Sequence, residues 1–130
     1  MKRFLLIDDD EIFNFLNKKV LELSKMADTV TVFTSGQKAL EHLEPLMASK
    51  AEWPNYVLLD IRMPGMDGFE FLQKFKDMDP SFLEQVKVYM LTSSIDERDK
   101  YKSGSYPFVR GFFSKPLNVE MLRKMVLEES

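Results

Sequence analysis

Short apolar runs alternate with helically spaced apolar positions along the whole chain. Phe4-Leu5-Leu6-Ile7 is the first run and ends in Asp8-Asp9-Asp10-Glu11. Apolar residues then recur at three- and four-residue steps, at Ile12, Leu16, Val20 and Leu23 with Phe13 beside them, which predicts a first helix and marks its apolar stripe. Thr29 to Phe33 is β-branched and reads as a second strand. Ala39, Leu40 and Leu43 mark a second helix that Pro45 ends or bends. From Met47 to Asn55 the pattern is poorly readable, with Trp53-Pro54 leading into the next strand. Tyr56 to Leu59 is continuously apolar and stops at Asp60, as expected of a strand buried on both faces. Phe69, Leu72, Phe75 and Met78 give a third helix, stopped at Asp79-Pro80. Val86 to Leu91 is a fourth strand ending in Thr92-Ser93-Ser94, and Asp96 to Lys102 suits a short polar helix. Val109 to Phe113 is a fifth strand ending in Ser114-Lys115-Pro116, and Val119, Leu122, Met125 and Val126 mark a last helix.

Strict strand–helix alternation predicts an α/β fold: a doubly wound, five-stranded parallel sheet with helices on both faces and right-handed crossovers. The strand order expected is 2-1-3-4-5. At 130 residues the chain is expected to form one domain over 1–130, with nothing left for an effector domain. Its net charge of -3 offers no broad attraction to nucleic acid. No apolar run is long enough to span a membrane, and only four apolar residues separate Met1-Lys2-Arg3 from Asp8, so no secretory signal is read. The absence of cysteine removes disulfides, thiol catalysis and cysteine-based zinc sites, and fits a cytoplasmic setting.

In a parallel sheet the last residues of every strand share one edge. Asp8 and Asp9 end the first strand, Asp60 the third, Thr92 the fourth and Lys115 the fifth. Under the expected order they meet in one shallow pocket, while strand two contributes only Thr34-Ser35. Clustered carboxylates repel unless a cation joins them. Oxygen-only ligands favour Mg²⁺. A carboxylate can attack a phosphoryl group, with a metal and a lysine neutralising the transferring oxygens and a hydroxyl completing the cradle. Asp60, alone at the end of the central strand, is the expected nucleophile; Asp8 and Asp9 are the expected metal ligands.

These residues resemble the response-regulator receiver domains, the CheY-like family, over essentially the whole chain. Ile7-Asp8-Asp9 is similar to the family's acidic pair, and Leu59 to Gly68 is similar nearly residue for residue to its phosphoacceptor segment. Leu91-Thr92-Ser93 and Phe113-Ser114-Lys115-Pro116 match its hydroxyl and lysine motifs. The resemblance implies a phosphorylation-dependent switch of a two-component phosphorelay. Asp60 would accept the phosphoryl group from a histidine kinase or histidine phosphotransfer protein. Asp8, Asp9, Asp60 and the Arg62 backbone carbonyl would hold Mg²⁺, and Thr92 and Lys115 would bind phosphoryl oxygens. Phe112, three residues before the lysine, would be the switch aromatic with Thr92, and the Lys115-Pro116 bond is often cis in the family. Output would be contact with a downstream protein, not enzymatic turnover. The segment 96–110 departs from the family pattern, carrying Tyr101, Tyr106, Pro107 and Phe108 in place of an Ala/Gly-rich helix.

Competing functions fit less well. A small aspartyl-phosphate phosphatase of the haloacid dehalogenase type needs an acidic residue two positions after the nucleophile, where Arg62 stands. A flavin carrier needs a neutral phosphate loop after strand one, and the acidic run 8–11 would repel the phosphate. A phosphorylation-independent adaptor would have no need of the full set of phosphorylation residues. Plain structural readings cover the remaining polar positions. Asp10 and Glu11 cap the first helix, Asp67 caps the third, and His42 lies on the surface. Arg62 is either a solvated charge or a gate to water, and Ser93 and Ser94 are turn residues unless Ser94 lines that same approach. Tyr101, Tyr106 and Phe108 are open between partner contact and local packing.

Overall fold

The structure, a computed structural model, describes residues 2–93 and 95–127. Five strands, β1 Arg3–Ile7, β2 Thr29–Phe33, β3 Tyr56–Asp60, β4 Lys87–Thr92 and β5 Val109–Ser114, form one sheet in the order β2-β1-β3-β4-β5. Every pairing is parallel. The helices are α1 Glu11–Ser24, α2 Gly36–Leu46, α3 Gly68–Phe75, α4 Pro80–Gln85, α5 Glu97–Ser103 and α6 Val119–Val126, with a 3₁₀ turn at Lys50–Glu52. The expected fold class and strand order are therefore observed. Among the described residues no helix is long and apolar enough to cross a membrane.

β3 is buried at every residue, as its unbroken apolar run requires. Successive side chains point to opposite faces. Phe4, Leu6, Tyr56, Leu58, Tyr89 and Leu91 meet Leu21 of α1 and Leu122 and Met125 of α6. Leu5, Ile7, Val57, Leu59, Val88 and Met90 meet Leu40 and Leu43 of α2, Phe71, Leu72 and Phe75 of α3, and Phe82 of α4. Burying a side chain of this size is worth roughly 1.5–3 kcal/mol, so these two cores hold the sheet rigid beneath its rim.

The chain departs from its hydrophobic pattern in α1. Of the stripe marked by Ile12, Leu16, Val20 and Leu23, only Val20 packs against the core, while Ile12, Leu16 and Leu23 face solvent at 71%, 43% and 79% exposure, and Phe15 is 62% exposed. The buried face carries Asn14, Asn17 and Leu21 instead. A second departure follows α3, which ends at Phe75 with Lys76 as its C-cap, so Met78 lies outside it and Asp79-Pro80, expected to stop that helix, instead starts α4. The Asp79 side chain accepts from the Ser81 N–H at 2.8 Å, and Pro80 sits at the first helical position, where its missing N–H costs nothing. Pro45 lies inside the last turn of α2, which runs on to Leu46.

The poorly readable segment is tied down by Trp53. Its Nε1–H donates to the Leu46 carbonyl at 2.8 Å, and its ring meets Phe82 edge-on at 5.3 Å. Tyr106 and Phe108 belong to the core, with Phe108 packed 5.2 Å from Phe75, whereas Tyr101 is 89% exposed. His42 is half-buried against Phe33, with ring centroids 5.0 Å apart, and not simply on the surface.

The orientation of α1 predicts opposite results for neighbouring leucines. Leu21→Ala should cost about 2–5 kcal/mol in urea unfolding, whereas Leu23→Ser should change stability by no more than about 0.5 kcal/mol. The reverse ranking would mean that the Ile12–Leu16–Leu23 stripe faces inward.

Candidate functional site

Parallel register brings the strand ends level: Asp60 stands beside Leu91, and Thr92 beside Ser114. Asp8, Asp60 and Thr92 are all buried. Lys115 reaches across from the end of β5. Its Nζ donates to Asp8 Oδ2 at 2.8 Å and lies 3.4 Å from Asp60 Oδ1. Its backbone N–H donates to the Thr92 carbonyl at 2.7 Å, locking the ends of β4 and β5 together. The half-buried Phe13 ring lies 4.3 Å from the same ammonium and adds a cation–π contact. The Lys115-Pro116 peptide bond is cis.

Asp8 is held on three sides. Its Oδ1 accepts from the Asp10 N–H at 2.9 Å, its Oδ2 from Lys115, and its backbone carbonyl from Asn14 Nδ2 at 2.7 Å. Asp9 is exposed beside it, and carboxylate oxygens of Asp8, Asp9 and Asp60 lie within 4.8 Å of one another. Asp10 caps α1, accepting from the N–H groups of Ile12 at 2.8 Å and Phe13 at 3.2 Å.

The loop after Asp60 folds tightly back on its strand. Gly65 takes φ +81°, a left-handed conformation suited to glycine. The Gly68 N–H donates to the Ile61 carbonyl at 2.8 Å. A Cβ on Gly68 would lie 2.6 Å from the Asp60 backbone carbonyl oxygen, so only glycine lets α3 begin so close to the end of β3. Asp67 and Glu70 form a reciprocal capping box there, at 2.9 and 3.0 Å.

Electrostatics follow from this crowding. Burial, then the neighbouring Asp8 charge, raise the Asp60 pKa from its usual 3.8 to about 6, against the downward pull of Lys115. For Lys115, burial pulls the pKa down, but its hydrogen bond and charge contact with Asp8, aided by Asp60, outweigh it, and the net shift from 10.5 is upward. Three carboxylates against one ammonium leave the rim with excess negative charge. An all-oxygen donor set of that charge fits a divalent cation such as Mg²⁺.

Other residues fall as follows. The Arg62 side chain is not simply solvated; its Nη2 donates to Asp99 Oδ2 of α5 at 2.6 Å. A guanidinium, which does not give up its proton, is unsuited to the acid/base role a phosphatase requires two positions after its nucleophile. Phe112 is half-buried, opposite Met90 in the sheet and packed against the core. Ser93 is exposed in a bend, and Ser94 lies outside the described residues. Sequence reasoning missed Phe13, Asp99, Asn14 and Asn17. The last two stand with Leu21 at helical spacing, 14-17-21, a stripe overlooked because two of its members are polar.

Comparison with known proteins gives a consistent result. The family model described as "Response regulator receiver domain" matches residues 4–127. A two component response regulator from Cytophaga hutchinsonii has a crystal structure that superposes with a TM-score of 0.90 at 35% identity, covering 99% of this chain and 98% of that one. Response regulator Rcp1 of Synechocystis is 30% identical over 96% of this chain and 84% of its own length. A crystal structure of Rcp1 in its Mn²⁺-bound form superposes with a TM-score of 0.74 at 29% identity, covering 98% of this chain and 91% of that one. Response regulator PleD of Caulobacter vibrioides is 32% identical over 92% of this chain, which spans only 24% of PleD's length.

The raised Asp60 pKa sets the sign of a pH effect. Because the folded value lies above the unfolded one, the group's stabilising contribution is present below about pH 4 and is lost as pH rises through about 6. Lys115 stays charged throughout that range. With EDTA present, the Tm advantage of Asp60→Asn over the parent chain should therefore widen between pH 5 and pH 8. A constant gap would mean that Asp60 ionises without penalty.

Proposed function

The chain belongs to the response-regulator receiver family, and on that premise we propose that it is a phosphorylation-dependent switch of a two-component phosphorelay. Asp60 is the proposed phosphoacceptor. The observation that carries the reading is the Lys115 ammonium held between Asp8 and Asp60 on one rim, with Thr92 buried beside them.

In this reading an Asp60 carboxylate oxygen attacks the phosphorus of a phosphohistidine on a histidine kinase or histidine phosphotransfer protein. The P–N bond breaks and its electron pair stays on the imidazole nitrogen. Lys115 exchanges a carboxylate partner for a phosphoryl oxygen, so the incoming charge meets an ammonium already aligned by Phe13 and Asp8. The Thr92 hydroxyl donates to a second phosphoryl oxygen. Asp8, Asp9, Asp60 and the Arg62 backbone carbonyl would hold Mg²⁺. When bound, that ion supplies the positive charge that offsets the phosphoryl oxygens.

Moving Thr92 toward the phosphoryl group loosens packing next to Phe112 on the neighbouring strand. The half-buried Phe112 ring then repacks, shifting a two-state equilibrium on the β4–β5 side of the sheet. Output is contact with a downstream protein rather than steady turnover, in a cytoplasmic setting, by residues 1–130 acting as one receiver unit.

Incubation with acetyl phosphate and Mg²⁺ should add one base-labile phosphoryl group by intact mass, and Asp60→Ala should abolish it. Steady hydrolysis of many phosphate esters would instead favour a phosphatase. Partner binding that is indifferent to beryllofluoride would favour an adaptor.

Lys115→Ala should bind Mg²⁺ at least as tightly as the parent by calorimetry, because a competing cation is gone, yet lose phosphorylation. Normal phosphorylation of Lys115→Ala would remove the lysine from the proposed mechanism.

A further inference from the structure

We infer that Asn14 and Asn17 act together as positioning residues, a clamp on the inner face of α1 that sets the two walls of the pocket at a fixed separation. The inference rests on the phosphoacceptor reading above and assigns the two walls separate controls.

α1 leaves four large apolar side chains in solvent and buries two amides, the reverse of what the hydrophobic effect favours. Each amide reaches a different wall. Asn14 Nδ2 donates to the Asp8 backbone carbonyl at 2.7 Å, where the acidic loop leaves β1. Asn17 Oδ1 accepts from the Leu117 N–H at 2.9 Å, two residues past Lys115 and 100 positions away in sequence. Both side chains are more than nine-tenths buried, at 6% and 2% exposure.

Asn14 Oδ1 is buried with no hydrogen-bond partner. An acceptor left unsatisfied is costly, so the position suits its donor role better than its stability role. Three residues on a helix span about 4.5 Å of rise, so a single rigid turn holds both contacts. Asp8 and Lys115, 2.8 Å apart, are thereby fixed from behind by one element.

The two asparagines should fail differently. Mg²⁺ affinity is measured by calorimetry on metal-free protein, and phosphorylation by acetyl phosphate is followed as a function of Mg²⁺ concentration. Residues that orient metal ligands typically matter 10- to 100-fold, so Asn14→Leu should weaken Mg²⁺ binding about 10-fold, with Tm nearly unchanged and the phosphorylation deficit closing as Mg²⁺ is raised. Asn17→Leu should leave Mg²⁺ affinity within about twofold but slow phosphorylation about 10-fold at saturating Mg²⁺, in line with the cost of misplacing a reacting group. Asn17→Asp keeps an oxygen facing the Leu117 N–H and should restore most of that rate. Leu23→Ser, on the outer face, serves as control.

If both leucine variants lose metal affinity and rate together in proportion to a fall in Tm, or if neither parameter moves, the clamp is refuted. Should Asn17→Leu fail to fold, Asn17→Ala against Asn17→Asp decides: unequal rates support the clamp and equal rates refute it. A parent chain that acetyl phosphate does not label refutes the phosphoacceptor reading itself. A labelled parent with unsplit variants refutes the clamp alone.

Discussion

The Lys115 ammonium is held between two buried carboxylates, 2.8 Å from Asp8 and 3.4 Å from Asp60. The rest of the structure is arranged around that contact. A buried ion pair is not in itself a source of stability, because removing both charges from water costs about as much as their attraction returns. Here the imbalance is greater, since Asp9 adds a third carboxylate at the same rim. The strain shows in the raised pKa of Asp60. The two apolar cores on either side of the sheet must therefore hold the strand ends in place regardless of that penalty. The same excess of negative charge, carried on oxygen donors alone, fits a divalent cation.

α1 shows what this arrangement demands of its neighbours. Rotated to suit its hydrophobicity, it would bury Ile12, Leu16 and Leu23. Rotated as found, it buries Asn14 and Asn17 beside Leu21 and exposes Ile12, Leu16 and Leu23. Local hydrophobic preference gives way where a functional site needs polar contacts from behind. Polar contacts in the N-terminal half fix the rotation: the Asp10 cap and the Asn14 bond near Asp8, and the Asn17 bond to Leu117 one turn farther along.

The loop after Asp60 is constrained by different means. Gly68 permits a close backbone approach, and the Asp67–Glu70 capping box anchors the start of α3. Arg62 links the same loop to α5 through Asp99. The loop that follows Asp60 is thereby tied to the first turn of α5. On the same side of the sheet as α3, Tyr106 and Phe108 fill the core next to Phe75, so of the aromatic residues in 96–110 it is Tyr101 that is left to solvent.

Five strand-like segments alternating with helically spaced apolar positions were enough to determine the element order and the doubly wound parallel sheet. They also determined the rim where Asp8, Asp9, Asp60, Thr92 and Lys115 gather, because parallel strands end on a common edge whatever the details of packing. The Leu59–Gly68 segment added the family through its resemblance, nearly residue for residue, to the receiver phosphoacceptor segment. Tertiary structure alone decided which face of α1 is buried, because two stripes of helical spacing compete there. The choice is made by hydrogen bonds to Asp8 and to Leu117, a residue 100 positions away. The burial of Tyr106 and Phe108 and the pairing of Arg62 with Asp99 were likewise settled by neighbours distant in sequence. Periodicity reports a residue's face on its own helix, and it carries no information about what stands opposite.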